Sequence, residues 1–342
     1  MDRIGQMERT VERLTSPGRG ILAADESYPT ITKRLSDHGI ESTEENRRFY
    51  RSLLATTPGI GEYVGGIIFF EETLGQKTDD GELIPAACEK QDIVPGIKVD
   101  KGLTELPGSG GEKVTQGLDN LGDRLDGYLE QGALFTKWRN VYEISANTPG
   151  RQAIEANAEV LARYAAIAQS RGMVPIVEPE VLMDGDHDIE RCAEVTEAAQ
   201  TAVFAALRRH NVILECIILK PNMVLPGKSQ KPRPAPEVCA EATLRVLRRT
   251  VPAAVPTINF LSGGQTAEEA TAHLNAMNQS DKANPWVLSF SYSRALQNPV
   301  QEAWKGESGN KEAAQKAFLK RARLNSLARD GRYDPSMEND PA

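Results

Sequence analysis

The stretch Leu214-Glu215-Cys216-Ile217-Ile218-Leu219-Lys220-Pro221-Asn222 is an almost unbroken apolar run that ends in a lysine and a proline. Such a run reads as a strand buried on both faces, as in a parallel sheet. Proline lacks the N–H that a ladder needs, so the strand stops at Pro221. Lys220 therefore stands at a strand's carboxyl end, where α/β folds place their active sites. Burial disfavours the ammonium and lowers a lysine's pKa. A lysine partly neutral near pH 7 is a nucleophile, and its usual target is a carbonyl carbon. A strand-capping ion pair accounts for a lone lysine better than catalysis does, so the other strands have to tip the balance.

Seven further runs have the same character: Gly20–Ser27, Gly65–Phe70 (followed by Glu71-Glu72), Ile93–Asp100, Ala133–Arg139, Met173–Glu180, Thr257–Gly264 and Trp286–Ser291. Helical patterns separate most of them. A short amphipathic segment ends near Leu14. Residues 43–55 follow Ser42 or Thr43 as N-cap, with Glu44 and Glu45 in the first turn. Residues 118–131, 189–210, 237–250 and 311–328 are also helical. Thr148-Pro149 opens a helix on which Ile154, Ala158, Leu161, Ala165 and Ala168 share a face. Thr266-x-x-Glu269 is a capping box. Residues 101–117 and 225–236 read as loops, the first lying over the site face. Eight such units predict a (β/α)8 TIM barrel. The rival, a doubly wound sheet, announces itself with G-x-G-x-x-G after the first strand, and Asp25-Glu26-Ser27 stands there instead. One catalytic barrel domain is expected over residues 1–329, with a loose tail over 330–342.

The 342 residues carry 40 basic and 48 acidic side chains, a net charge of −8. That balance argues against nucleic acid or a membrane surface as a general partner, while leaving room for a local basic pocket. Cys88, Cys192, Cys216 and Cys239 form no Cys-x-x-Cys pair, which fits reduced thiols in a cytoplasmic protein. The first residues hold no apolar signal region and no run reaches membrane-spanning length, so the protein is read as cytosolic. Among His38, His187, His210 and His273 no pair has ligand spacing, which disfavours a metal site; Gly185-Asp186-His187-Asp188 reads as a loop and helix start.

Strand side chains alternate between faces, so Lys137 and Arg139 share a face, as do Glu178 and Glu180, and Lys98 and Asp100. In a barrel the strands bearing Lys137, Glu178 and Lys220 are neighbours, and Asp25 of the first strand faces the same interior. Any one of these groups could be a structural ion pair; so many strand ends bearing ionisable groups point to a catalytic pocket. A nucleophilic lysine, a second lysine to depress its pKa, and carboxylates as acid and base suit carbonyl chemistry. Ser262-Gly263-Gly264 sits between a strand and a capped helix, a place where backbone N–H groups hold phosphate. Ser291-Tyr292-Ser293-Arg294 adds a guanidinium within reach.

The ordered motifs Gly20–Ser27, Thr43–Tyr50, Gly96–Gly102, Lys137–Arg139, Val174–Glu180, Leu219–Val224, Phe260–Gln265 and Ser289–Gln297 closely resemble those of class I fructose-bisphosphate aldolases, from about Ser16 to Tyr333. The resemblance implies reversible cleavage of fructose 1,6-bisphosphate to dihydroxyacetone phosphate and glyceraldehyde 3-phosphate, in glycolysis and gluconeogenesis, with no cofactor or metal. It implies Lys220 as the Schiff-base lysine, Glu178 as acid and base, and Lys137 as the group that positions and polarises substrate. Arg139 and Glu180 support the lysines, and Asp25 orients the hydroxyl whose deprotonation breaks the carbon–carbon bond. It implies one phosphate at Ser262, Gly263, Gly264, Ser291, Ser293 and Arg294, and the other toward Ser27, Thr30, Arg34 and Lys98. A homotetramer is implied too.

Three departures mark where the resemblance stops. Tyr28-Pro29-Thr30 replaces the family's common Thr-Gly-Ser, although Thr30 keeps a hydroxyl. Ser293 stands where animal members carry glycine. The sequence closes on Pro341-Ala342 rather than on the family's frequent tyrosine, which is linked to proton exchange on the enamine. The departure near Tyr28 leaves a longer ketose bisphosphate, such as sedoheptulose bisphosphate, as an alternative substrate. A non-catalytic scaffold is a third reading, and the intact set Asp25, Lys137, Glu178 and Lys220 speaks against it.

Overall fold

A computed structural model describes residues 2–340 of the chain. Its strands are β1 (Gly20–Ala24), β2 (Val64–Phe69), β3 (Val94–Lys98), β4 (Leu103–Glu105), β5 (Lys113–Thr115), β6 (Phe135–Tyr142), β7 (Val174–Val181), β8 (Ile218–Leu219), β9 (Thr257–Phe260) and β10 (Val287–Tyr292). Eight of them close into a parallel barrel, in the order β1, β2, β3, β6, β7, β8, β9, β10 and back to β1. Helices fill the connections. This is the (β/α)8 architecture expected from the apolar runs, and each of the eight runs supplies one barrel strand.

Two kinds of side chain share the barrel interior because the strand period is two. Toward the amino ends, Ile21, Ile68, Val94, Phe135, Ile176 and Ile218 form an apolar plug. Higher inward positions, toward the carboxyl ends, are Asp25, Lys98, Lys137, Glu178 and Lys220, and all five line one cavity. The helix Arg3–Thr15 closes the bottom, packing Met7, Val11 and Leu14 onto the plug. Outward-facing Leu22, Phe69, Ile97, Trp138, Val177, Leu219 and Phe260 join the larger core between sheet and helices.

Glycine makes the plug possible. A Cβ on Gly96 would lie 2.3–2.5 Å from three ring carbons of Phe135, and one on Gly66 would lie 2.4 Å from Leu14 Cδ2 and 3.1 Å from the same ring. Two neighbouring strands thus give up side chains to make room for the Phe135 ring and for Leu14 of the bottom helix.

Several details differ from expectation. The run Leu214–Asn222 is only partly extended: Leu214–Cys216 is a turn of 3-10 helix and β8 spans two residues. The ladder nevertheless reaches the lysine, because the Lys220 N–H donates to the Val177 carbonyl at 2.8 Å. Residues 101–117 contain the antiparallel hairpin of β4 and β5, whose three-residue strands are too short to show a period. The helix expected to open at Thr148-Pro149 begins at Arg151. Three helices appear where the sequence pattern marks none: Tyr28–Ser36, Ile84–Glu89 and Arg294–Trp304. The segment expected to be a loose tail is packed as far as Asp340. Tyr333 is buried and its N–H donates to Asn275 Oδ1 at 3.0 Å, while Arg321 holds Glu338 at 2.7 Å. Residues 341 and 342 lie outside the described residues. No helix of the described residues is long and apolar enough to cross a membrane.

The packing of Phe135 predicts that Gly96→Ala destabilises the fold by about 2 kcal/mol through overpacking. Gly96→Ala combined with Phe135→Leu should cost less than the sum of the two single changes. Urea denaturation of the double-mutant cycle measures both, and simple additivity would contradict the contact.

Candidate active site

The carboxyl-end mouth of the barrel is a cavity of about 510 Å³. Seven cationic side chains and six carboxylates line it, although the chain as a whole is acidic. At its floor four charged groups alternate in sign. Lys137 Nζ lies 2.6 Å from Asp25 Oδ2 and 3.4 Å from Glu178 Oε2. Lys220 Nζ lies 3.2 Å from the other oxygen of Glu178. Lys137, Glu178 and Lys220 project from adjacent strands, with Asp25 just past the end of β1. All four are at least nine-tenths buried.

Burial and neighbours set their charge states. Burial would raise the Asp25 carboxyl, but Lys137, Lys220 and Lys98 outweigh it and hold Asp25 well below the usual carboxylate range. Burial would lower Lys137, and Asp25 with Glu178 reverses this, so Lys137 stays a firm ammonium. Lys220 moves the other way. Burial and the Lys137 charge together lower its pKa, against the pull of Glu178 and Asp25. Two lysines of one site are thus driven apart by which carboxylates each one touches.

The strand end that carries Lys220 is clamped by Asn222. Its Oδ1 accepts from the Val181 N–H at 3.0 Å, and its Nδ2 donates to Thr196 Oγ1 at 3.1 Å. Leu261 N–H donates to the Pro221 carbonyl at 3.1 Å, tying the next strand end to the same point. Arg139 pairs with Glu180 through Nε, and Lys98 Nζ reaches Asp100 Oδ1 at 2.7 Å.

The turn after β9 is built from glycine for a reason. Gly263 and Gly264 have φ of +53° and +90°, which other residues adopt only under strain. Gln265 braces the turn by donating to the Ser262 carbonyl at 2.8 Å, and His273 Nδ1 meets Gln265 Oε1 at 2.6 Å. The capping box of Thr266 and Glu269 opens the helix Ala267–Asn278 beyond it. Ser291 Oγ is buried without a partner, and Arg294 begins the helix Arg294–Trp304. Both line the cavity.

Of the expected substrate contacts, Ser262, Gly263, Ser291, Ser293, Arg294, Arg34, Ser27, Thr30 and Lys98 line the cavity; Gly264 lies beside it. Asp25, Lys137, Arg139, Glu178, Glu180 and Lys220 line it as well. Tyr28 turns outward, its ring edge-on to Phe70 at 5.2 Å and beneath the Arg47 guanidinium at 5.0 Å. Pro29 sits in the first turn of the helix Tyr28–Ser36, and Thr30 Oγ1 lies 3.2 Å from Ser27 Oγ. Gly185–Asp188 is a loop whose Asp188 caps the helix Ile189–Arg209.

Glu26 is the residue that sequence reasoning missed. It is 6 % exposed, pairs with Arg34 and Arg51, and accepts from Ser293 Oγ at 3.0 Å and Gln297 Nε2 at 2.7 Å. Arg34 in turn donates to Ser293 Oγ at 2.7 Å. The Ser293 hydroxyl, absent from a glycine, therefore joins the two sides of the mouth. Its only local signal was a second acid after Asp25.

A closed barrel with buried lysines and carboxylates converging at its carboxyl face defines a (β/α)8 enzyme suited to carbonyl chemistry on an anionic substrate. Comparison with known proteins makes this specific. A family profile described as "Fructose-bisphosphate aldolase class-I" matches residues 6–342. Cytosolic fructose-bisphosphate aldolase 4 of Arabidopsis thaliana is 56 % identical over 318 residues, 93 % of this chain and 81 % of that protein. The non-muscle aldolase of Lethenteron camtschaticum is 53 % identical, covering 97 % of this chain and 91 % of that one. The solved fructose-bisphosphate aldolase of Plasmodium falciparum, in complex with TRAP and a small molecule inhibitor, superposes with a TM-score of 0.95 at 46 % identity, over 97 % of this chain and 96 % of that one. The chain belongs to the class I fructose-bisphosphate aldolase family.

The brace under the Ser262 turn predicts a stability profile. Burial pushes His273 down to about 4 from its ordinary 6.5, outweighing Glu269 and Glu237. Between those values the unfolded chain holds a proton that the folded chain refuses, so stability rises with pH across the window. The loss on acidification to pH 4 amounts to about 3 kcal/mol. Urea midpoints for wild type and His273→Gln at pH 7, 5.5 and 4.5 should converge as the pH falls. Parallel lines would contradict a neutral, buried His273.

Proposed function

We propose that this aldolase cleaves fructose 1,6-bisphosphate reversibly through a Schiff base on Lys220, with Glu178 moving the protons of imine formation and Asp25 taking the proton whose loss breaks the carbon–carbon bond. The observation that carries the reading is the buried row Asp25–Lys137–Glu178–Lys220, with Lys220 at 3.2 Å from Glu178 alone and Lys137 held between two carboxylates; burial lowers Lys220 while its neighbours keep Lys137 charged.

Glu178, 3.2 Å from Lys220 Nζ, takes the proton that the Lys220 ammonium gives up. The neutral amine attacks the ketone carbon, forming a C–N bond, and the adduct's ammonium proton passes to the alkoxide to give a carbinolamine. Glu178 then returns its proton to the carbinolamine hydroxyl, the C–O bond breaks, water leaves and the protonated C=N bond forms. The protonated imine then accepts an electron pair. Asp25, ionised beside Lys137, takes the proton of the C4 hydroxyl, the C3–C4 bond breaks, and its pair flows to the imine nitrogen as an enamine. The aldehyde fragment departs as glyceraldehyde 3-phosphate. Protonation of the enamine carbon and addition of water release dihydroxyacetone phosphate and restore the amine. Lys137 remains charged throughout and polarises the substrate oxygens. Arg139 and Glu180 hold each other at the side of the site.

Phosphates are held at two places in this reading. The Ser262–Gly264 turn, Ser291, Ser293 and Arg294 receive one, with two helix N-termini adding their positive ends. Ser27, Thr30, Arg34 and Lys98 face the other. A cytoplasmic homotetramer is the assembly and compartment that fit, the matching relatives including cytosolic as well as chloroplastic proteins.

Borohydride added with dihydroxyacetone phosphate should trap an adduct that peptide mapping places on Lys220. Lys220→Ala should lower kcat on the order of 10⁴-fold. Trapping on another lysine, or turnover unchanged by the substitution, would defeat the assignment. Lys137→Met should move the pH at which trapping is half-maximal upward, since it removes a repelling cation and frees two carboxylates for Lys220. A downward movement would contradict the role given to Lys137.

A further inference from the structure

A cation outside the set considered so far reaches the same glycine turn. Lys228 lies in the loop between β8 and the helix Pro236–Thr250, 36 residues before Gly264 in the chain. A Cβ placed on Gly264 would lie 3.4 Å from Lys228 Nζ and 3.7 Å from Arg294 Nη2. Both cationic groups therefore converge over one point of the backbone.

The approach is enforced. The Lys228 N–H donates to the Met183 carbonyl at 2.8 Å, with Gly227 N–H on His187 O at 2.8 Å and Ser229 N–H on Gly185 O at 3.0 Å. A Cβ on Gly227 would come within 2.5 Å of the Gly185 carbonyl, so this contact between loops requires glycine. Only the lysine's four-carbon stem is left free, and it extends over the turn.

Neither cation has a close carboxylate partner there, although Glu180 and Asp184 both exert a pull on Arg294. Among the described residues the nearest carboxylate to Lys228 is Asp184 Oδ1 at 3.9 Å, beyond hydrogen-bond distance. Arg294 forms no ion pair among the described residues, and burial together with the Arg34 and Arg139 charges bears against its protonated form. Gathering cations at a glycine turn that also faces two helix N-termini is unfavourable unless an anion binds between them.

We propose that Lys228 is the outer cation of the anion subsite over Ser262–Gly264, and that it sets the enzyme's preference for a phosphorylated over an unphosphorylated ketose fragment. The inference rests on the Schiff-base reading of Lys220 and adds a specificity residue to it. Lys228 closes the phosphate from the solvent side, opposite the backbone N–H groups, while Asp184 competes with the phosphate for the ammonium.

The test compares two ligands that differ only in the phosphate. Rate constants for borohydride trapping on Lys220 are measured with dihydroxyacetone phosphate and with dihydroxyacetone, each below saturation. Lys228→Ala should reduce the ratio of the two constants about fivefold, the scale of one exposed charge pair. Lys228→Glu should reduce it further, and Lys228→Arg should keep it near wild type. Asp184→Asn should raise it, and added salt should narrow all of these differences. Trapping of unphosphorylated dihydroxyacetone should stay the same in every variant, a control that a folding defect would disturb. If the ratio is unchanged in Lys228→Ala and Lys228→Glu, the inference is wrong while the Lys220 assignment stands. If wild-type enzyme traps neither ligand, it is the Lys220 assignment that fails.

Discussion

One carboxylate holds the site together. Glu178 divides its two oxygens between Lys137 and Lys220, and Asp25 completes the row on the far side of Lys137. Four charges in a buried space would be ruinous singly, since each loses its water. Alternation in sign makes them mutually dependent. Lys137 has two carboxylate partners, Asp25 and Glu178, and Lys220 has one. Burial bears on both lysines, but only Lys137 is compensated in full, so the pKa of Lys220 alone falls, and the barrel's registration of adjacent strands enforces it.

The rest of the fold serves that registration. Apolar residues at the lower inward positions and ionisable ones at the upper positions follow from one alternating pattern carried by successive strands. Phe135 and Lys137 are two residues apart on the same strand, so the ring that wedges against Gly96 and Gly66 also fixes the height of the lysine. Asn222 does the same work from above, binding the end of β7 to the residue that terminates the Lys220 strand. Ser262 is steadied through Gln265 and His273, side chains that never face the cavity.

Much of this was legible from sequence because the decisive signals are local. Apolar runs with polar or charged ends located all eight strands, and period-two alternation put Lys137 with Arg139 and Glu178 with Glu180 on shared faces. The strand ahead of Lys220 was overread, since apolar character records burial and not extension: Leu214–Cys216 is apolar in part and helical. The hairpin of β4 and β5 carried no period because it is short and mostly exposed. The helix Arg294–Trp304 holds Pro299 in its interior and persists because Leu296, Val300 and Trp304 are buried. Glu26 stayed hidden for a different reason. Its partners Arg51 and Ser293 are 25 and 267 residues away, and no local pattern encodes such a meeting. The packed segment up to Asp340 likewise depends on Asn275, 58 residues from Tyr333 in the chain, and on the Arg321–Glu338 pair.

The helix Arg3–Thr15, lying across the bottom of the barrel, turns the site into a vessel with one opening. Whatever enters must leave by the same door, so substrate and both products share one path through the charged mouth. In the Schiff-base reading, the bond to Lys220 keeps one fragment at the floor of that vessel while the other uses the door.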